Sequence, residues 1–171
     1  MRLNKICTAV FLSILASLFV GKAYAETWSP TGNGNLDDID GLEVKKGIIE
    51  LTCKLTGEVT LDGSNATVDN LVVYGGFLNI CNNRVILKNI DPSMGTSFNM
   101  EGMASNIVTI ESVYAEAPIG GDCSGDLTGT FDQATGILTF INATLPGVSG
   151  AADCEFSGEL ATFPEASYTI P

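Results

Sequence analysis

The chain has 171 residues, with 8 Lys+Arg, 20 Asp+Glu, no His and 5 Cys, and a formal net charge of −12. Without histidine there is no Ser-His or Cys-His dyad, no imidazole base and no His metal ligand. The negative balance argues against a nucleic acid partner, whose phosphates are neutralised by Lys and Arg, and 45% hydrophobic against 16% charged residues argues against a wholly disordered chain.

Residues 1–25 read as a cleaved signal peptide. Arg2 and Lys5 form a positive start, Ile6 to Val20 is largely apolar, and Ala23-Tyr24-Ala25 gives a small-x-small cleavage site before Glu26. The apolar run is about 15 residues, short of the roughly 18–20 that a membrane span needs. No later segment is apolar for long enough, so no transmembrane anchor is expected. The mature protein, 26–171, is then a single domain of 146 residues with 5 basic and 20 acidic side chains, net −15. Its four cysteines, Cys53, Cys81, Cys123 and Cys154, favour two structural disulfides in an exported protein. Their gaps of 28, 42 and 31 positions do not resemble the close pairs of a zinc site.

Near the mature start, Asn33, Asn35, Asp37 and Asp40 form a weak calcium candidate. The first three alternate like calcium-loop oxygens, but Asp38 stands where the sharp-turn glycine belongs. The bland alternative is a polar acidic loop. Ile49 to Leu61 then alternates strictly, with Ile49, Leu51, Cys53, Leu55, Val59 and Leu61 on one face and Glu50, Thr52, Lys54, Thr56, Glu58 and Thr60 on the other. That is a strand with one wet and one buried face, and Gly57 in its middle predicts a bulge, a bend or two successive strands. Asp62-Gly63-Ser64-Asn65 reads as a turn. Further strands are predicted over 67–74, 77–81, 85–89, 105–114, 127–131, 137–145, 154–162 and 166–170. No long helical stripe appears in the mature chain. The expected fold is all-β, an antiparallel sandwich or barrel held by disulfides.

Met94, Phe98, Met100 and Met103 form a soft apolar group, a candidate lining for an apolar ligand, with core packing the commoner explanation. Asn65-Ala66-Thr67 and Asn142-Ala143-Thr144 are formal glycosylation sequons. The lysines do not fall in a Ser-x-x-Lys motif, no phosphate loop precedes a helix, and no carboxylate pair is singled out. The protein is therefore expected not to be an enzyme and to carry no cofactor. A weak internal duplication sets Cys53 to Cys81 beside Cys123 to Cys154. Four cysteines allow three pairings, and the duplication favours Cys53–Cys81 with Cys123–Cys154 without eliminating the others.

Thr27-Trp28-Ser29-Pro30-Thr31-Gly32, then Lys46-Gly47-Ile48-Ile49-Glu50-Leu51-Thr52-Cys53, Leu55-Thr56-Gly57, Gly75-Gly76 before Cys81 and the second cysteine pair follow one another. This order resembles the small exported bacterial proteins called protein activator of alkane oxidation, PraB-type. The resemblance implies a Gram-negative exported protein, periplasmic, at the cell surface or outside the cell, that supports growth on alkanes. It implies no catalytic residue, and only the four cysteines carry over, as structural positions. Around Cys81 this chain reads Asn79-Ile80-Cys81-Asn82-Asn83, more polar than the apolar setting the family commonly shows. A weaker likeness to fimbrial and spore-coat subunits makes the stretch before Ile48 and Ser167–Ile170 candidate donated strands. Three roles follow: an accessory or surface protein that engages apolar substrates or surfaces, a self-associating fibre or biofilm-matrix subunit, and a binding module for an apolar ligand or calcium.

Overall fold

The computed structural model describes residues 26–76, 79–82, 85–116 and 120–170. The signal segment therefore lies outside the described residues, as do Phe77 and Leu78 of one predicted strand. Twelve strands run through the described residues: β1 (Thr27–Ser29), β2 (Gly32–Asp38), β3 (Leu42–Lys46), β4 (Ile49–Leu61), β5 (Ala66–Tyr74), β6 (Ile86–Asn89), β7 (Phe98–Met103), β8 (Ile107–Glu116), β9 (Cys123–Asp132), β10 (Ile137–Leu145), β11 (Cys154–Phe163) and β12 (Ser167–Thr169).

Their pairing closes a circle. β2 and β3 both pair with β4 on one side and β11 on the other, so they are two halves of one stave. β7 and β6 pair with successive parts of β8 and make another. Counting each of these as one gives eight antiparallel staves in chain order, with β11 returning to β2 and β3. The fold is an up-and-down eight-stranded barrel, which resolves the expected choice of sandwich or barrel. Closure removes most free strand edges.

β4 follows the period-2 pattern, with Cys53, Leu55, Val59 and Leu61 buried and Lys54, Glu58 and Glu50 exposed. β2 was not legible as a strand. Its sequence, Gly-Asn-Gly-Asn-Leu-Asp-Asp, has poor strand propensity, but pairing on both edges and the burial of Leu36 hold it extended. The predicted strand over 77–81 does not continue through Asn79–Asn82, which form a turn. Lys46 to Ile49 close the β3–β4 hairpin through two residues, and Gly47 supplies the positive φ of +59 that such a tight turn demands.

Bulges form a belt around the middle of the barrel. β5, β8 and β10 each carry one extra residue relative to their partners, with Asn70, Ser112 and Asn142 at φ 52, 57 and 50. The extra residue opposite Gly57 lies on β5. Gly57 itself is needed for closeness: a Cβ there would sit 2.9 Å from a Leu71 methyl and 3.2 Å from the Asp69 carbonyl. The β2–β3 stave breaks at 39–41 and the β6–β7 stave at 90–97. Bulges and breaks bend strands, which lets a short sheet close on itself.

One seam is not zipped. Among the described residues β5 pairs with β7 only through Ala66–Val68, and no ladder joins β5 to β6. The Asn89 N–H donates instead to Gly95 of its own loop at 2.8 Å, and the Asn89 side chain reaches the Ser97 carbonyl at 2.8 Å.

One barrel end is plugged. β1 and β12 pair with each other, placing Trp28 opposite Tyr168. Trp28, Phe131 and Tyr168 stack with ring centroids 4.9 to 6.0 Å apart. The Tyr168 hydroxyl lies 2.7 Å from the Met103 carbonyl and 2.9 Å from that of Ile107. At the opposite end two disulfides close, Cys53–Cys81 and Cys123–Cys154.

Candidate functional site

The inside of an eight-stranded barrel is either filled by side chains or holds one small ligand. Here it is filled. Among the described residues, the cavity between Leu55, Leu71, Leu87, Phe140, Phe156 and their neighbours is about 20 Å³ and wholly apolar. That is room for about one water molecule, and an apolar void of this kind stays dry. No hydrocarbon chain fits without repacking the core.

The soft apolar group is divided by the pleat of β7. Phe98 and Met100 are buried in the barrel, whereas Met103 lies on the outside and Met94 is exposed in the preceding loop. These four therefore do not line a common site. The acidic stretch is also not a loop. Asn33, Asn35 and Asp37 lie at alternate positions of β2, opposite Thr60, Glu58 and Thr56. Alternate strand residues are spaced about 6.6 Å apart along one face, so the strand spreads these oxygens along the sheet rather than around a point. Asp37 accepts a hydrogen bond from the Thr56 hydroxyl at 2.5 Å, and Asp40 lies beyond the strand at an exposed bend. Among the described residues no group of three or more Cys, Asp or Glu is placed to hold a metal ion. The segment before Ile48 forms a barrel stave, and Ser167–Thr169 pairs with Thr27–Ser29, so both expected donor strands are engaged within the chain. Asn65 ends the exposed β4–β5 turn, and Asn142 sits in the β10 bulge.

The two ends differ in chemistry. At the plugged end the turns are polar, with Asp62-Gly63-Ser64-Asn65 and Gln133-Ala134-Thr135-Gly136 between strands. Asp62 accepts the Asn65 and Ser64 amides at 2.6 and 3.1 Å, and these bonds, led by those from Asn65, hold its carboxyl below the usual range. Beside the plug, burial pushes the Glu26 carboxyl up. Donors from Trp28 and Gly102 oppose the rise, and the charges of Glu101 and Glu111 add to it. The Trp28 indole N–H is buried and closes no hydrogen bond of ordinary length, so its pull on Glu26 acts at longer range.

At the disulfide end the hairpin tip carries Ile48, which is 102% exposed. Ile80 is exposed in the turn that holds Cys81. The β10–β11 connection there is rich in Gly, Ala and Ser, and its Asp153 is turned onto the Gly147 amide at 2.9 Å. Inside the same end lies Lys46, the third inward residue of β3 after Leu42 and Val44, only 8% exposed. Its Nζ donates to the Ala152 carbonyl at 2.7 Å and lies 2.9 Å from Cys123 Sγ. Burial pulls its ammonium below the usual lysine range, and the charges of Asp122 and Asp153 pull it back up. Sequence reasoning passed over Lys46, although its place in the Leu42, Val44, Lys46 alternation was a signal that it points inward.

A closed barrel that is stapled at one end, plugged at the other and filled by side chains among the described residues defines a small β scaffold. The family model described as alkane oxidation protein activator, PraA/PraB-like, matches residues 1–170, and the chain belongs to this family. The family's description gives it an activator role in alkane oxidation. No curated protein and no solved structure matches the chain significantly. Two disulfides, and the lack among the described residues of any helix long and apolar enough to cross a membrane, are consistent with an exported protein.

Proposed function

We propose that the protein is a non-catalytic exported accessory factor that supports alkane use by contacting a hydrocarbon surface with its disulfide end. The observation that carries this reading is Ile48, held wholly in water at the tip of a tight hairpin. Folding does not require an isoleucine there, since it packs against nothing. The filled interior favours contact from outside over carriage within. The net charge of −15 keeps the molecules apart in water, while the apolar tip gives one end an affinity for oil.

Full removal of an isoleucine from water is worth about 1.5–3 kcal/mol, roughly a 10- to 150-fold change in partition. The test compares wild-type mature protein with Ile48→Lys at a hexadecane–buffer interface. Wild type should lower the interfacial tension, and the variant should adsorb at least several-fold less with an unchanged unfolding midpoint. A deletion strain carrying the variant should grow normally on glucose and slowly on hexadecane. Equal adsorption and equal growth of the two proteins would sink the proposal.

A further inference from the structure

The two disulfides look alike in span but not in surroundings. Lys46 Nζ lies 2.9 Å from Cys123 Sγ and 3.4 Å from Cys154 Sγ. Among the described residues no Lys or Arg nitrogen makes such a contact with the Cys53–Cys81 bridge. Each bridge has a carbonyl oxygen 3.7 Å from one of its sulfurs, Thr52 at Cys81 and Ala152 at Cys123, so the ammonium and not the carbonyl sets the two apart. A disulfide sulfur is a poor acceptor for an ammonium, whereas a thiolate is a good one. Lys46 is therefore better satisfied when the second bridge is open than when it is closed.

We propose that Cys123–Cys154 is a thiol-exchange site, opened by an external thiol with Cys123 as the leaving sulfur. The attacking thiolate adds to Cys154 Sγ as the S–S bond breaks, and the electron pair goes to Cys123 Sγ beside the Lys46 ammonium. A second external thiolate then attacks the external sulfur of the mixed disulfide and releases Cys154. The external pair leaves as its own disulfide, two electrons have entered the protein, and two cysteine thiols remain after protonation. The reductant is a small thiol such as glutathione.

The direction of attack follows from position. Cys123 is 0% and Cys154 2% exposed, so the closed form shields both. Cys154 directly follows the 146–153 connection, which is held by Ala151 N–H to the Val148 carbonyl at 3.1 Å and Gly147 N–H to Asp153 at 2.9 Å, and is tied to the start of β9 by Val148 N–H to the Asp122 carbonyl at 2.8 Å and Ser124 N–H to the Pro146 carbonyl at 2.9 Å. Opening this connection uncovers the bridge and frees Lys46 from Ala152, while β3 keeps the ammonium nearer Cys123 Sγ, at 2.9 Å, than Cys154 Sγ, at 3.4 Å. Asp122 and Asp153 also face this group and oppose the thiolate, but Asp153 is committed to Gly147 and Asp122 accepts the Tyr114 hydroxyl at 2.6 Å. A cation beside a thiol lowers its pKa and makes it the better leaving group.

The experiment equilibrates the oxidised mature protein in glutathione buffers of graded ratio, quenches with acid, alkylates and maps each cysteine by mass. Cys123–Cys154 should open at a [GSH]²/[GSSG] at least tenfold lower than Cys53–Cys81, equivalent to about 30 mV. Lys46→Met should move only the second bridge, by about tenfold toward stronger reduction, and Lys45→Met should leave both in place. Should Lys46→Met fail to fold, the reduced wild type decides. Cys123 should then react with iodoacetamide at a lower pH than Cys154. Bridges that open together, a Cys53–Cys81 bridge that opens first, or equal thiol reactivity of Cys123 and Cys154 would overturn the proposal.

Discussion

Tyr168 shows how one side chain closes an end of the barrel. Its ring packs between Trp28 and Phe131, and its backbone N–H donates to Gln133 Oε1 at 2.7 Å. Its hydroxyl has one proton and two carbonyls in reach, Met103 and Ile107. Both oxygens are within hydrogen-bond reach, so either can accept that proton. Tyr168→Phe keeps the ring and leaves these carbonyls without their donor. The expected loss is about 1–3 kcal/mol, read by urea unfolding as a lower midpoint at constant slope. A variant as stable as wild type would mean that water replaces the hydroxyl freely. None of this was legible in the sequence: Tyr168 sat in a predicted short strand, but its partners lie 140 and 61–65 residues away. Cys53, by contrast, was readable from local alternation alone, because a strand's buried face repeats every second residue.

At the scale of elements, the belt of bulges decides whether the staves can close. Asn70, Ser112 and Asn142 each adopt the left-handed region, which polar side chains tolerate and β-branched ones do not. Local bonds fix two of them: the Ser112 amide donates to Asp126 at 2.8 Å, and the Asn142 amide to the Ser157 hydroxyl at 3.0 Å. Asn142 is exposed, so a change there tests the backbone without disturbing the core. Asn142→Val should cost about 1–3 kcal/mol, while Asn142→Gly should cost little, as measured by thermal unfolding. Equal losses in both would assign the effect to the side-chain bonds rather than to the backbone. Sequence periodicity read β4, β5, β10 and β11 because their alternation is long. It missed the short β1 and β3 and also β2 and β7, where Gly, Asn and Met carry little strand preference and partners on both sides supply the missing order. The strand face of Asn33, Asn35 and Asp37 was illegible for the same reason.

For the whole molecule, Cys53 and Cys123 lie four staves apart, halfway round the barrel. Cys53 is on β4 and its partner Cys81 lies in the connection from β5 to β6, whereas Cys123 begins β9 and its partner Cys154 begins β11. Their loops are close in length, 28 and 31 residues. In the chain-entropy model each restrains the unfolded chain by about 3–4 kcal/mol, a large part of a typical total of about 5–15 kcal/mol. The folded states are not equally dependent on them. Cys123–Cys154 joins staves that β10 already ties together by ladders on both sides. Cys53–Cys81 anchors the connection beside the seam between β5 and β6, where no ladder forms among the described residues. Replacing either pair by alanine should therefore lower global stability by similar amounts in denaturant. Native-state hydrogen exchange should separate them: loss of Cys53–Cys81 should speed exchange in Ile86–Asn89 well before global unfolding, and loss of Cys123–Cys154 should leave that strand protected. Uniform acceleration across the barrel in both variants would mean that the seam is as cooperative as the zipped wall, and that the bridges act through the unfolded chain alone.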